Sequence, residues 1–376
     1  MRDIKREIQD SVTAKLFKGR AVIIYGARQV GKTTLIKKIQ DKYDHSSRYL
    51  NCDEPDIRES LTNKSSTELR ELIGGNKLVL IDEAQRVRNI GISLKLIIDN
   101  YPDIQIIATG SSSFELSNKI AEPLTGRKYE FQLYPFSLKE LRQINTGIEM
   151  DRLLETRIIK GMYPDVVINK DESEDILRDI TKSYLYRDML QFQSIRNPEI
   201  LNKLLQALAL QIGNEVSYNE LANKLKIDKN TIANYINILE KAFIIFRLNP
   251  FSKNLRNELK KLRKIYFVDT GIRNALINNL NPLDLRQDAG SLWENFLISE
   301  RIKSINNSGH SRNLYFWRTH QQHEIDLIEE EGEKIYGYEL KMTAKKNKVP
   351  KIFRDNYPGV KVNFINKDNY KYFLGL

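Results

Sequence analysis

Apolar positions along the chain change period several times, and each change marks a change of predicted element. In the first third, "AVIIY" at 21–25, "LVLI" at 78–81 and "IQIIATG" at 104–110 are short continuous apolar runs. Such runs are typical of strands buried on both faces. After the first of them, Leu35, Ile36 and Ile39 repeat at helical spacing. Beyond Pro135, steps of three and four dominate, and 137–145, 151–162 and 173–192 read as helices, the last being the longest. Between 216 and 251 two short helical patterns flank "KID". The first has Leu221, Ala222 and Leu225 apolar, the second Ile232, Tyr235, Ile236 and Leu239. Ser217 and Asp228 stand where N-caps belong. Strand-like "AFIIFRL" and "IYFVD" follow. Past "NNLNPLD", an amphipathic helix over 291–305 turns Leu292, Phe296, Leu297 and Ile302 towards a core. The runs "NLYFWRT", "HEIDLI" and "KIYGYELKM" then predict a three-stranded meander. These shifts divide the chain into four expected units, 1–135, 136–192, 193–282 and 283–376.

Composition narrows the class. A chain of 376 residues is too long for one ordinary core, and 41% hydrophobic with 29% charged residues describes a globular protein. No apolar run approaches the length that spans a bilayer, so no membrane partner is expected. The first twenty residues are too charged for a signal peptide. A single cysteine, Cys52, excludes an internal disulfide and fits a reducing, cytoplasmic setting with the thiol buried. The net charge of +11 is uneven, since residues 221–280 alone hold 12 Lys and Arg against 4 Asp and Glu. A basic stretch of that density points to a polyanion partner such as DNA, although many solvated faces are also basic.

The first candidate chemistry lies between the first strand and its helix. "GARQVGKT" at 26–33 is G-x-x-x-x-G-K-T in strand–loop–helix context. Gly26, Ala27, Arg28, Gln29, Val30 and Gly31 form the loop, and its glycines let successive N–H groups converge on a phosphate. Lys32 reaches the β- and γ-phosphate oxygens, Thr33 ligates Mg²⁺, and Thr33 and Thr34 open a helix whose N-terminus favours anions. ATP with Mg²⁺ is the expected cofactor. "KLVLIDEAQ" at 77–85 ends a strand in two acids. Asp82 would hold Mg²⁺ and Glu83 would polarise the attacking water. A third strand ends in hydroxyls, of which Thr109 or Ser111 would sense the γ-phosphate. "LTGRKYEF" presents Arg127 either as a finger towards a neighbouring subunit, which implies a homo-oligomer, or as a solvated surface arginine.

Taken together, "YGARQVGKTTL", "LVLIDEAQ", "IIATGSSSFEL", "PLTGRKYEFQLYPFSLKEL" and "GMYPDVV" resemble, in order and spacing, a large prokaryotic family of AAA-type ATPases. The C-terminal half of that family is known only as a domain of unknown function. The resemblance implies an α/β fold with a P-loop parallel sheet flanked by helices and followed by a helical lid. It carries over Glu83 as catalytic acid, Ser111 as sensor and Arg127 as finger.

The two short helices at 217–241 with the strands after them suggest a winged helix. Lys229, Asn230, Asn234 and Asn237 would be exposed on its second helix, and Lys253, Arg256, Lys260, Lys261, Arg263 and Lys264 on its wing. Such residues suit phosphates and base edges, yet helix-turn-helix folds also serve as protein-contact modules. In the last unit, strand parity puts Asp326, Glu339 and Lys341 on one face: a two-residue turn at Gly332 and Glu333 would set Asp326 directly opposite Glu339, and one at Glu331 and Gly332 would set it opposite Gly337, diagonal to Glu339. Two carboxylates and a lysine so placed resemble the PD-(D/E)xK nuclease fold, which implies a second Mg²⁺ site. That fold adds a helix acid, and Glu294 matches, although Ser291-x-x-Glu294 also reads as a capping box. Glu324 shares the acidic face, and a plain solvated hairpin is the alternative. Three functions stand open: an ATPase that repositions a DNA-bound C-terminal half, a nucleotide switch that grips a protein, and an ATP-gated nuclease.

Overall fold

The first apolar run becomes β1 (Ala21–Tyr25), every residue of which is buried. β2 (Ser47–Asn51), β3 (Leu78–Asp82), β4 (Gln105–Gly110) and β5 (Lys128–Gln132) join it in a parallel sheet of order β2-β3-β4-β1-β5. The three inner strands β1, β3 and β4 are buried throughout, while the edge strands β2 and β5 are half-exposed. This is why only the inner three read as unbroken apolar runs. Helices Lys32–Gln40, Pro55–Leu61, Ser66–Ile73 and Ile90–Asn100 make the crossovers. Helix Ser66–Ile73 starts with a reciprocal capping box between Ser65 and Glu68. Since all five strands run the same way, Tyr25, Asn51, Asp82, Gly110 and Gln132 end at one edge of the sheet. Ligands of open α/β sheets bind at that edge.

The structure, a computed structural model, describes residues 4–111, 116, 119–191, 197–252, 263–319, 321–343 and 348–376. They form two compact units, one of residues 1–136 with 241–243 and the other of 137–240 with 244–376.

The second unit begins with helices. Gly147–Lys160 and Ser173–Gln191 occupy two of the expected helical stretches, and Leu138–Leu141 gives the third a single turn. Helix Pro198–Leu210, buried through Leu201, Leu204, Leu205 and Leu208, is an element that the reading of 193–215 passed over. A two-residue strand β6 (Glu215–Val216) leads into helices Tyr218–Leu225 and Lys229–Lys241. Ser217 accepts from the Glu220 amide at 3.3 Å, and Asp228 accepts from the amides of Asn230 and Thr231 at 2.8 and 2.9 Å. Both expected caps are therefore formed. β7 (Ile245–Pro250) and β8 (Arg263–Phe267) pair antiparallel, and β6 pairs with β8.

β9 (Asn313–Arg318), β10 (Glu324–Glu331) and β11 (Lys334–Leu340) form the antiparallel meander, and β12 (Lys361–Ile365) adds to it in parallel. β7 pairs with β9, so one seven-stranded sheet of order β12-β11-β10-β9-β7-β8-β6 runs through this unit. Phe251, Trp317, Ile325, Ile328, Phe353 and Tyr357 pack together on it.

Helix Ala289–Ser308 departs from expectation. It is buried around its whole circumference from Leu292 to Glu300, and Lys303 is buried where Ile302 is only half-covered. Its polar residues have partners that make burial affordable. Asn295 bonds both the N–H and the C=O of Phe267 at 2.8 and 2.7 Å, Ser299 donates to the Val268 carbonyl at 2.5 Å, and Glu300 accepts from Lys303 at 2.7 Å. A helix satisfied in this way needs no polar face, which is why its periodicity was misleading.

Candidate functional sites

The phosphate loop turns through two left-handed residues, Gln29 with φ of 58° and Gly31 with φ of 94°. Alternation of hand along a short loop aims several N–H groups inward. Gly26 has no room for a side chain, because a Cβ there would lie 2.3 Å from the Leu133 carbonyl oxygen. Arg6 braces the loop from outside, donating to the carbonyls of Val30 at 2.6 Å and Tyr134 at 2.5 Å. Nothing in the local sequence marked Arg6, since its partners lie 24 and 128 residues away.

Lys32 is buried and donates to the carbonyls of Gly26 and Ala27, each at 2.9 Å, with Glu83 at 3.9 Å. Its ammonium is thus held inside the loop. The Thr33 hydroxyl donates to Asp82 Oδ2 at 2.6 Å, and Tyr49 donates to the same oxygen at 2.8 Å. Thr109 donates to Asp82 Oδ1 and accepts from the Glu83 amide at 3.1 Å. β4 lies between β1 and β3, so Thr109 at its end stands between the loop and the acids. Burial and the adjacent Asp82 push the Tyr49 phenol above its ordinary range. A hydroxyl and a carboxylate in contact at a strand end are a donor set that fits Mg²⁺, with Thr33 and Asp82 as the groups to hold it.

Glu83 sits at the strand end with φ of 52°, a strained backbone for a non-glycine residue. Gln85 Nε2 donates to Glu83 Oε2 at 2.5 Å and to Ser111 Oγ at 2.9 Å. The two hydroxyls left open by the sequence therefore differ in setting, with Thr109 on Asp82 and Ser111 linked through Gln85 to Glu83. Arg28 is half-buried, Gln29 and Thr34 are exposed, and Ala27 and Val30 are buried. Arg127 is not brought to this cluster. It precedes β5, whose Lys128 pairs with Ala21 at the start of β1, and it forms an ion pair with Asp99 at 2.7 Å. Within the unit it lies at the edge of the sheet away from the phosphate loop.

The second constellation forms around the β10–β11 hairpin. Leu327 pairs with Tyr338 and Glu331 with Lys334, which is the register that sets Asp326 opposite Glu339. Gly332 takes φ of 61°, as a tight turn with glycine first requires. Asp326 accepts from the Leu340 amide at 2.7 Å and from Lys341 Nζ at 2.9 Å, and Lys341 also lies 3.3 Å from Glu339. Glu294, Glu324 and Asp326 each bring a carboxylate oxygen within 4.8 Å of the others, a group of three that does not include Glu339.

Two expectations are corrected here. The capping box of Ser291 and Glu294 does not form, because the helix already starts at Ala289 and both residues lie inside it. Glu294 instead accepts from Tyr266 at 2.5 Å and from Lys264 at 3.0 Å. Lys264 is not an exposed wing residue. Its side chain is 1% exposed and ion-paired with Glu294 and Glu324, because β8 runs through the interior beside helix Ala289–Ser308. Burial and the neighbouring Asp326 push Glu294 up to about 7 against the pull of Lys264. Burial and Asp326 likewise push Glu339 up to about 8. Burial alone would lower Lys264, but Glu294 and its other anionic neighbours hold it well above the usual lysine range.

Lys229, Asn230 and Asn234 are exposed and Asn237 is half-buried. Arg263 is half-buried with its guanidinium 5.9 Å from the Tyr218 ring centre. Lys253, Arg256, Lys260 and Lys261 lie outside the described residues. No helix among the described residues is long and apolar enough to cross a membrane.

Residues 18–142 match the family described as AAA domain. With the phosphate loop, the paired acids and the parallel sheet, this match defines the first unit as an AAA-type P-loop ATPase domain. Residues 151–283 match a domain of unknown function, DUF8612, and residues 289–371 another, DUF4143. The chain is 29% identical over 389 residues to an uncharacterized protein, MJ1544, of Methanocaldococcus jannaschii, covering 96% of this chain and 83% of that one. It is 27% identical over 350 residues to an uncharacterized protein, Rv2008c, of Mycobacterium tuberculosis, covering 90% and 74%. Among solved structures, the Pif1 helicase from Candida albicans is faintly similar, with 17% identity, a TM-score of 0.27, and coverage of 42% of this chain and 48% of that one.

Proposed function

We propose that the protein binds ATP with Mg²⁺, hydrolyses it, and uses nucleotide state to reposition a C-terminal half that engages DNA. The observation that carries hydrolysis is the chain of contacts from Thr33 to Asp82 to Thr109 and from Glu83 through Gln85 to Ser111. A protein that only stored nucleotide would need the metal-side acid but not a second acid tied to a hydroxyl on the next strand. In this reading Lys32 and the loop amides bind the phosphates, and Glu83 orients and deprotonates water. Ser111 reports the γ-phosphate, and Arg127 acts on a neighbouring copy in a homo-oligomer. Helices within 136–192 form the lid, residues 193–282 a winged helix, and residues 283–376 a nuclease-like fold. Bound ATP supplies the phosphoanhydride whose cleavage drives the cycle. Steady-state phosphate release by wild type and Glu83→Gln, with and without duplex DNA, tests this. Turnover independent of Glu83 would overturn it.

A second reading takes the C-terminal half as the grip on a protein partner. Burial of Lys264 favours it, since one of the cations counted towards a DNA-binding wing is unavailable to phosphates. Fluorescence anisotropy with labelled duplex distinguishes the two, because DNA binding through phosphate contacts weakens steeply with salt.

A further inference from the structure

The nuclease resemblance implies a divalent ion at the carboxylates of the second unit, and the residues around that place do not suit one. Four carboxylates converge there, from Glu294, Glu324, Asp326 and Glu339, and two ammonium groups already divide them. Lys341 takes Asp326 and Glu339 at 2.9 and 3.3 Å. Lys264 takes Glu294 at 3.0 Å and Glu324 at closer range. The two lysines differ in kind. The side chain of Lys341 is 41% exposed, just past the end of β11. Lys264 arrives from β8 with 1% of its side chain exposed and lies 5.7 Å from the Phe316 ring centre. Its two partners are two of the three residues close enough together to ligate an ion.

We infer that the Lys264 ammonium is the resident cation of this centre, occupying the place a divalent ion would take, and that the second unit therefore binds without cutting phosphodiester bonds. An ammonium and a metal ion compete for the same carboxylate lone pairs. The metal would need oxygens at about 2.0–2.1 Å and an open coordination position for water or phosphate. A buried ammonium fills that position with a group that is neither a Lewis acid nor a carrier of hydroxide. It cannot swing out to solvent without leaving Glu294 as an uncompensated buried charge, whereas Glu324 is partly exposed and keeps Arg318 at 3.6 Å. The fold thus keeps the acids expected of such a face and ties two of them, Glu294 and Glu324, to a buried ammonium. The ATPase reading is not required for this inference.

The test is Mn²⁺ binding to the full chain in a Thr33→Ala, Asp82→Asn background, which removes metal binding at the nucleotide site, together with a DNA cleavage gel in Mg²⁺ and in Mn²⁺. With Lys264 present, no stoichiometric Mn²⁺ site is expected and DNA stays intact. Lys264→Met keeps the side-chain volume and removes the charge, and it is expected to tighten Mn²⁺ binding at least tenfold. Adding Asp326→Asn should cancel the gain. Folded Lys264→Met protein that gains no Mn²⁺ site would overturn the inference. Should that variant fail to fold, the comparison of Lys264-intact protein with its Asp326→Asn form decides. The inference expects identical metal binding and no cleavage in either, and Asp326-dependent binding or cleavage would overturn it.

Discussion

Gln85 joins the acid at the end of β3 to the hydroxyl beyond β4, with Nε2 at 2.5 Å from Glu83 and 2.9 Å from Ser111. The glutamine is buried and its other side-chain atom, Oε1, has no hydrogen-bond partner. One amide group thereby bridges Glu83 and Ser111. Gln85→Ala is expected to lower kcat for ATP on the order of 10-fold to 100-fold while nucleotide affinity changes little. Stopped-flow binding of a fluorescent ATP analogue beside phosphate release separates the two effects. Equal losses in both would place Gln85 in binding.

Lys32 holds the phosphate loop closed from within through the Gly26 and Ala27 carbonyls. Lys32→Ala should abolish measurable ATP binding in calorimetry. Thr33→Ala, which removes the partner of Asp82, should instead raise the Mg²⁺ concentration needed for half-maximal turnover.

Cys52 is fully buried, and burial with the nearby Asp82 pushes its thiol up to about 12. The thiolate is the reactive form, so the native thiol is expected to react with a disulfide reagent at pH 8 at least about 100-fold more slowly than in denaturant. ATP with Mg²⁺ should slow it further if binding tightens the β2–β3 edge. A native rate close to the denatured rate would contradict the burial.

Gly161 has φ of 80°, and a Cβ there would meet Asp269 Oδ1 at 2.0 Å. Asp269 cannot yield, because it accepts from the amides of Met162, Gly271 and Ile272 at 2.7, 2.9 and 3.1 Å. Gly161→Ala combines a backbone cost of roughly 1–3 kcal/mol with this clash. Gly309→Ala, at φ of 70° with nothing near its Cβ, carries only a backbone cost. Thermal unfolding should show the larger loss at Gly161, and equal losses would remove the steric argument.

The ATPase unit was legible because its chemistry is local: strand, glycine loop, lysine, threonine and helix are contiguous, and the inner strands of a parallel sheet read as apolar runs. In the β10–β11 hairpin only the shared face of Asp326, Glu339 and Lys341 was legible; the turn left two registers open, and the pairing of Leu327 with Tyr338 is what sets Asp326 opposite Glu339. What escaped was what depends on distant contacts. Arg6 braces a loop 24 residues on, and Gln85 gains its meaning only from Ser111, one residue past the end of the neighbouring strand. Lys264 was misread because it closes a basic run that looks like a solvated face, whereas alternation along β8 and the covering helix turn it inward. Glu294 carried a capping pattern, yet the helix had begun earlier and the side chain was free to reach Lys264 and Tyr266.

The central claim is that the acid after Asp82 drives water attack on bound ATP. Steady-state ATP hydrolysis by wild type and Glu83→Gln, each with nucleotide affinity measured in parallel, tests it most directly. The account predicts that Glu83→Gln retains ATP with unchanged or tighter affinity and loses on the order of 100-fold or more of its turnover. A variant that hydrolyses ATP at the wild-type rate, or wild-type protein that binds ATP without turning it over in Mg²⁺ with or without DNA, would contradict it.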